Sequence, residues 1–337
     1  MEMLEKAGGT LLRIDPGKGQ GMKSFVERRQ LLLEDINRRA LQDAPAFVEE
    51  EDARYAGEVA RLARHLAAGL RGRRIVMLCG PTSSGKTTTA LLLRDSLREL
   101  AVEAHTVSLD DFYRGREQAP LLENGNYDYE ALEALNLDQL QICMQEIIEK
   151  GRTELPLFDF IAGRPAVETR PLCIGPESVV IFEGIHALNP VFEEHLSGDS
   201  LYKVFINTVT PVYNGSDKWL KRRDIRLVRR MLRDYKFRSS SLENTLRMWP
   251  QVVRGENLYM FPYVDTADAV IDTTHAYEPC VLGTALLPLL REVPAEVPNR
   301  DVIDHLIEAL TGFAALPAEF VPQDSLLREF LGGGLYS

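Results

Sequence analysis

Short apolar runs alternate with longer stretches of helical periodicity over the middle of the chain. Five runs have the length of a buried strand: RIVMLC, AHTVSL, SVVIFEG, YKVFIN and DAVIDT, at residues 74–79, 104–109, 178–184, 202–207 and 268–273. Continuous apolar runs that are separated by helices are typical of strands buried on both faces of a parallel sheet. The pattern therefore predicts an α/β fold with a parallel sheet flanked by helices.

Both ends of the chain have helical patterns without strand candidates. Near the N-terminus, apolar residues recur at helical spacing: Val59, Leu62, Ala63, Leu66 and Leu70. The last part of the chain predicts one or two short helices that Pro317 and Pro322 interrupt. We therefore expect a helical N-terminal segment at 1–73, a central α/β domain at 74–290 and a helical C-terminal tail at 291–337.

Composition and charge limit the classes of function. The chain has 337 residues, of which 45% are hydrophobic, enough for a full core. No apolar run approaches the roughly 20 residues that cross a bilayer, and the first residues are acidic where a signal peptide is basic. The four cysteines have neither CxxC spacing nor nearby histidine pairs. The net charge of −11 argues against broad nucleic-acid binding. We expect a cytoplasmic protein with neither a membrane nor a nucleic acid as partner.

The loop after the first predicted strand carries the clearest chemical signal. Gly80 and Gly85 enclose a short stretch and are followed by Lys86 and Thr87, which is the spacing GxxxxGK[ST] between a strand and a helix. Such a loop turns backbone N–H groups toward phosphate oxygens, and the lysine reaches the terminal phosphates. The alternative is a Gly/Ser-rich turn without a ligand. The predicted nucleotide-binding residues are Gly80, Pro81, Thr82, Ser83, Ser84, Gly85, Lys86, Thr87 and Thr88.

Carboxylates follow two further predicted strands. Asp110 and Asp111 end the second strand, and Asp110 could orient and deprotonate an attacking hydroxyl, because ligands collect at the carboxyl ends of parallel strands. The alternative is that this pair caps the next helix. Glu183 ends another strand and is suited, with Thr87, to holding Mg²⁺. His186 follows shortly afterwards and could contact the substrate or bind the local backbone.

A cationic stretch, KWLKRRDIRLVRRMLRDYKFR, lies further along the chain. If it is helical, Arg226, Arg229, Arg230 and Arg233 share one face. Such a face is usually solvated. The alternative is a lid whose guanidinium groups fold over a polyphosphate and stabilise charge on the transferring group.

Six motifs stand in the order seen in one family of phosphotransferases. They are GPTSSGKTTT, SLDDFY, NYDYEALEALNLDQL, LPLFDF, VVIFEGIHALNP and DIRLVRRMLRDY. Over roughly residues 74–290 the chain resembles the uridine kinase and phosphoribulokinase family of P-loop kinases. It is most similar to the longer bacterial uridine kinase-like proteins, with their N-terminal synthetase-like part shortened or absent. The resemblance implies a P-loop NTPase-type sheet with an Arg-rich helical lid.

The resemblance also implies roles for single residues. Asp110 matches the family's catalytic aspartate, Asp128 matches the aspartate that binds ribose hydroxyls, and Glu183 matches the acid on the metal side. The lid is matched by Arg226, Arg229 and Arg230.

We therefore expect Lys86 and Arg229 to act with Asp110 in catalysis. Arg226 and Arg230 are expected to bind the donor.

The acceptor side departs from the family pattern. The uridine kinases have a tyrosine where this chain has Phe158, and a histidine a few residues later that helps to recognise the pyrimidine. This chain has no histidine there, and Arg164 could supply a contact instead. Together with Asp110, the expected substrate residues are Asp128, Phe158, Arg164 and His186.

The expected activity is the Mg²⁺-dependent transfer of the terminal phosphoryl group of ATP or GTP to the 5′-hydroxyl of a nucleoside, with uridine or cytidine as the first choice. One alternative is a kinase for another small alcohol or a sugar phosphate. The other is a nucleotide-binding regulatory or RNA-associated ATPase. The sequence leaves open whether the chain forms a homo-oligomer.

Overall fold

The structure is a computed structural model that describes residues 23–24, 29–68, 70–122, 125–160, 162–193, 196 and 200–336. Residues 1–22, which belong to the predicted N-terminal segment, lie outside the described residues.

The strands of the described chain form three sheets. In chain order they are β1 Lys23–Ser24, β2 Leu31–Leu32, β3 Arg74–Cys79, β4 Glu103–Ser108, β5 Arg152–Asp159, β6 Arg164–Cys173, β7 Ser178–Gly184, β8 Leu201–Asn207, β9 Val212–Asn214, β10 Asp217–Leu220 and β11 Ala269–Asp272. The α-helices are α1 Leu33–Gln42, α2 Ala44–Ala68, α3 Lys86–Glu99, α4 Leu137–Lys150, α5 Arg222–Phe237, α6 Leu242–Gly255, α7 Glu278–Glu292, α8 Arg300–Thr311 and α9 Arg328–Leu331.

The central sheet has six strands in the order β1-β11-β8-β3-β7-β4, and every pairing in it is parallel. Each of the five strands predicted from an apolar run is present, with ends within one residue of the prediction. The side chains of β3, β7 and β11 are buried almost throughout, whereas β4, at the edge of the sheet, has only two buried residues. The predicted fold class, a parallel sheet flanked by helices, is confirmed.

The register of the sheet brings three strand ends to one edge. Cys79, the last residue of β3, pairs with Gly184 of β7, and Ser108 at the end of β4 pairs with Glu183. The loop after β3, the turn after β4 and the end of β7 therefore meet at the carboxyl edge of the sheet, which is where open parallel sheets bind ligands.

The helical segments at both ends pack into the same apolar core as the sheet. Val59, Leu62, Ala63 and Leu66 of α2 are completely buried, whereas Leu70 lies beyond the helix and is half-buried. In the tail, Leu326, Leu327 and Phe330 are also completely buried.

The tail has the two helices that its pattern predicts, α8 and α9. The predicted boundary at residue 290 falls inside α7, and the division into three domains stays a prediction.

Two small sheets were not predicted. β5 and β6 form an antiparallel hairpin, and β2, β9 and β10 form a three-stranded sheet at the edge of the core. None of the described helices is both long and apolar enough to cross a membrane.

Candidate active site

The loop between β3 and α3 has a backbone that only small residues can form. Gly85 has a φ of +89° and Ser83 a φ of +58°, both in the left-handed region. A Cβ atom at Gly80 would lie 2.6 Å from the carbonyl oxygen of Ile206. The two glycines of the motif are therefore required by the turn and by the close approach of β8.

Two hydroxyl groups of this loop have no hydrogen-bond partner among the described residues. The hydroxyls of Ser83 and Ser84 are buried, and neither hydrogen-bonds to any described residue. The Lys86 ammonium donates to the carbonyl of Pro81 at 3.3 Å. Unsatisfied buried groups are costly, and a ligand with oxygen acceptors would satisfy them. The loop at the N-terminus of α3 thus has the geometry and the chemistry of an anion site.

Thr87 and Glu183 lie together beside the loop, as the sequence predicts. The Thr87 hydroxyl donates to Glu183 Oε1 at 3.1 Å, and the Ser108 hydroxyl donates to the same oxygen at 3.3 Å. Burial raises the pKa of Glu183 to about 7 against the opposing charge of Lys86, and Asp110 adds to the rise. A hydroxyl and a carboxylate are oxygen donors of the kind that Mg²⁺ binds, and a cation would offset this buried charge, so these residues fit the ion.

Asp110 lies in a short 3₁₀-helix, Leu109–Phe112, directly after β4. The residue that caps this helix is Ser108, whose hydroxyl accepts from the Asp110 N–H at 3.3 Å. The Asp110 carboxylate is therefore not the capping group, and the residue is exposed near Lys86 of the phosphate loop. Surrounding protein atoms raise its pKa, Lys86 opposes that rise, Asp111 adds to it, and Arg238 also opposes it. A carboxyl group with a raised pKa beside the phosphate loop is suited to accepting a proton.

Asp128 is buried and held by three donors. Its Oδ2 accepts from Arg254 and from the Tyr259 hydroxyl, both at 3.0 Å, and its Oδ1 accepts from the Glu130 N–H at 3.2 Å. Tyr259 belongs to a π-helix, Glu256–Met260, that continues α6 and directs this hydroxyl to the carboxylate. Asp128 is thus oriented firmly, while its role toward an acceptor stays a prediction.

His186 and Glu130 lie next to Asp128. The imidazole of His186 is buried, neither of its nitrogens hydrogen-bonds within the described chain, and burial lowers its pKa to about 4. The Glu130 backbone and the Asp128 carboxylate oppose this lowering, and the choice between a substrate contact and a backbone contact for His186 stays a prediction. Burial, together with Glu256, raises the pKa of Glu130 to about 7. His186 is consequently uncharged throughout the neutral range, whereas Glu130 is partly protonated near pH 7.

Phe158 and Arg164 lie on the hairpin. The Phe158 ring packs against the rings of Tyr113 and Phe160, with centroids 6.0 and 5.1 Å apart. Arg164 is exposed at the start of β6. Phe158 is therefore close to the Asp110 turn. Arg164 lies opposite Asp159 in the hairpin, and its role toward a substrate stays a prediction.

The arginines of α5 do not form one open face. Arg226 makes two hydrogen bonds to the Glu256 carboxylate, at 2.5 and 2.8 Å, and one to the carbonyl of Thr82. Arg229 binds the Glu278 carboxylate at 2.6 and 3.0 Å and donates to the carbonyl of Ser83 at 3.3 Å. Both guanidinium groups are completely buried. In this structure both guanidinium groups hydrogen-bond to backbone carbonyls of the phosphate loop. The lid roles predicted for these arginines stay predictions.

Arg230 and Arg238 take the positions that face the site. Arg230 donates to the Thr82 hydroxyl at 3.2 Å and pairs with Asp234 at 3.2 Å. Arg238, at the end of α5, is largely exposed and close enough to Asp110 to oppose the rise in its pKa.

Sequence reasoning missed Arg238, although it closes the cationic stretch. It also missed the carboxylate partners of the buried arginines, because Glu256 and Glu278 lie 30 and 49 residues away from them.

Comparisons with known proteins agree with this arrangement. The sequence pattern of the Phosphoribulokinase / Uridine kinase family matches residues 75–278, more than half of the chain. The chain is 27% identical over 200 residues to a uridine kinase of Saccharomyces cerevisiae, a match that covers 58% of this chain and 36% of that protein. It is 25% identical over 198 residues to a uridine kinase of Lactobacillus helveticus, covering 58% of this chain and 85% of that one.

Among solved structures, a D-glycerate 3-kinase from Cryptococcus neoformans is 18% identical, with a TM-score of 0.43 over 60% of this chain and 88% of that one. That likeness says nothing about the acceptor. The family match extends over the phosphate loop, the carboxylates at the sheet edge and the arginine helix. The chain belongs to the Phosphoribulokinase / Uridine kinase family.

Proposed function

We propose that this protein is a Mg²⁺-dependent kinase that transfers the terminal phosphoryl group of ATP or GTP to a hydroxyl of a small uncharged acceptor, first of all the 5′-hydroxyl of uridine or cytidine. The observation that carries the proposal is the meeting of three features at one edge of the sheet. These are the phosphate loop with Lys86, the Thr87–Glu183 pair and the open carboxylate of Asp110.

The donor is held by the loop. Backbone N–H groups from Gly85 to Thr88, at the positive end of the α3 dipole, attract the phosphates, and the Lys86 ammonium neutralises part of their charge. Thr87 and Glu183 are the residues that would hold Mg²⁺, which supplies further neutralisation of the transferring phosphates when it is bound. Arg230 and Arg238 add positive charge at the open side of the loop.

The acceptor is activated by Asp110. Its carboxylate takes the proton of the attacking hydroxyl while the acceptor oxygen forms a bond to the terminal phosphorus and the bond to the leaving diphosphate oxygen breaks. Lys86 and Arg238 oppose the rise in the Asp110 pKa, and both positive charges therefore favour the ionised carboxylate that accepts the proton. Asp128, held by Arg254 and Tyr259, positions the acceptor.

The charges of the acceptor side favour an uncharged substrate. Burial raises the pKa of Asp110 and of Glu130, and neighbouring carboxylates add to both rises: Asp111 acts on Asp110, while Glu256 and Asp110 act on Glu130. Negative charge is therefore concentrated on this side of the site. The phosphate of a sugar phosphate would add to that charge. Uridine, the acceptor named for the yeast and Lactobacillus relatives, carries no charge and is therefore the first compound to test.

The test is ADP release by the purified full chain with Mg-ATP against a panel of nucleosides, sugar phosphates and other small alcohols, with a control that lacks acceptor. We expect strong stimulation by uridine or cytidine and none by sugar phosphates. The same panel with Asp110→Asn shows which stimulation belongs to this site.

Stimulation by a phosphorylated acceptor alone would contradict the charge argument and leave the kinase activity standing. ADP release that no acceptor increases, with ATP still bound, would contradict the kinase proposal and favour a nucleotide-binding regulator.

A further inference from the structure

The C-terminal tail lies directly on the phosphate loop. The side chain of Leu326 packs against Gly85, the last glycine of the loop, where a Cβ atom would collide with it. Phe330, completely buried, lies under the Arg229 guanidinium with 5.2 Å between the guanidinium carbon and the ring centroid. Ser325 anchors the segment by donating to Asp52 of α2 at 2.8 Å. The tail therefore forms one wall of the donor site.

One charged group of the tail contacts the first turn of α3. Glu329 Oε2 accepts the hydroxyl proton of Thr88 at 2.9 Å. Its other oxygen lies 4.0 Å from a guanidinium nitrogen of Arg233. Glu329 is also among the charges that raise the pKa of Glu183, so its negative charge acts on that carboxylate as well.

The Glu329 carboxylate occupies a position that has the chemistry of a phosphate-binding site. It combines the positive end of a helix dipole, a hydroxyl donor of the loop motif and an arginine, which are the groups that bind phosphate. Thr88 is only 1% exposed, because the tail covers it. A donor phosphate that is to use the Thr88 hydroxyl must first displace the carboxylate.

We propose that Glu329 is an internal counter-ion that competes with the donor nucleotide, so that its carboxylate at Thr88 and Arg233 lowers donor affinity until the phosphates displace it. The inference rests on the donor site proposed above. It makes the tail a determinant of the donor dissociation constant, and the acceptor site is untouched by it.

The experiment measures the dissociation constant of Mg-ATP by calorimetry for the full chain, for Glu329→Gln and for Glu319→Gln. The amide at position 329 keeps a partner for Thr88 and removes the charge. Glu319 is an exposed carboxylate of the same tail and gives a matched change of charge away from the loop. Glu329→Ala repeats the test should the amide variant fail to fold.

Glu329→Gln should lower the dissociation constant about fivefold at low salt, since one negative charge near the phosphates is removed, and the gain should shrink in high salt. Glu319→Gln should leave the dissociation constant of Mg-ATP unchanged. An unchanged or a raised dissociation constant for Glu329→Gln would overturn the inference while the donor site stands. If neither the wild type nor the variants bind Mg-ATP, the donor site falls and the inference falls with it.

Discussion

The phosphate loop and the inner face of α5 lie against each other and are both rich in hydrogen-bonding groups, yet they satisfy those groups in opposite ways. In the loop, the hydroxyls of Ser83 and Ser84 are buried without a partner in the described chain. On α5, Arg226 and Arg229 each make two hydrogen bonds to one buried carboxylate. A buried donor without a partner costs about 1–3 kcal/mol, and a ligand can recover that cost.

The difference separates groups that fix the shape of the site from groups that are available to bind a ligand. The arginines with carboxylate partners also donate to the loop carbonyls of Thr82 and Ser83, so they fix the curvature that leaves the loop groups free. Chemistry is therefore expected from the loop, from Asp110 and from the cations that face the cleft. The buried pairs are expected to fix the shape of the site, and breaking one of them should destabilise the fold because a charge is left buried without its partner.

The largest expected effect concerns Asp110. Asp110→Asn should reduce turnover about 1,000-fold because the amide cannot accept the proton of the attacking hydroxyl. Binding of Mg-ATP should be unchanged, since Asp110 is outside the phosphate loop. The measurement is the initial rate of ADP release with a saturating acceptor, together with titration of the nucleotide.

Asp111→Asn is the matched control for this variant. Asp111 is the neighbouring carboxylate, and Phe158 donates a backbone hydrogen bond to it, which identifies it as a group that ties the hairpin to the turn. The Asp111→Asn variant should keep most of the wild-type turnover. Equal losses in the two variants would mean that the turn, and not the Asp110 carboxylate, is what the reaction requires.

A second expected effect concerns Arg229. Arg229→Met should lower the free energy of unfolding by about 3 kcal/mol, because Glu278 would be left buried without its partner. The double variant Arg229→Met/Glu278→Met should recover most of the loss. Urea denaturation measures both. A stable single variant that loses turnover would instead support the catalytic role that the sequence predicts for Arg229.

Arg230→Met provides the contrast on the same helix. Its guanidinium keeps some contact with solvent and faces Thr82 and Asp234. Its removal should leave the free energy of unfolding nearly unchanged and weaken Mg-ATP binding. If Arg230→Met destabilised the fold as much as Arg229→Met, the division of the α5 arginines into structural and ligand-binding residues would be wrong.

Five of the six strands of the central sheet could be predicted from the sequence because buried parallel strands carry mostly apolar runs. The sixth, β1, has only two residues and was not predicted. The hairpin could not be predicted, since almost every side chain of β6 is exposed and its sequence carries no apolar period. The strands of the three-stranded sheet have two to four residues each, too few to show a pattern.

The residues of the candidate site likewise divide into those that the sequence could predict and those that it could not. Gly80, Gly85 and Lys86 could be predicted because their geometry depends on neighbours in the sequence. Asp110 and Glu183 could be predicted because strand ends of a parallel sheet share one edge. The direction of each α5 arginine could not, since it depends on Glu256 and Glu278, which are distant in sequence and show no local pattern.

The smallest expected effect concerns Glu130, which lies between the two regions, near Lys86 of the loop and near Glu256 of the buried pair. Its folded-state pKa of about 7 is above the ordinary 4.5, so the proton is bound more tightly in the folded protein. The resulting stability is present below about pH 4.5 and is lost as the pH rises through 7. Relative to Glu130→Gln, which does not titrate, the wild type should lose about 2 kcal/mol of unfolding free energy between pH 5 and pH 8. Urea denaturation of both proteins at the two pH values measures this. A constant difference between them would mean that Glu130 is solvated like a surface carboxylate, and the argument from excess negative charge for an uncharged acceptor would lose its main support.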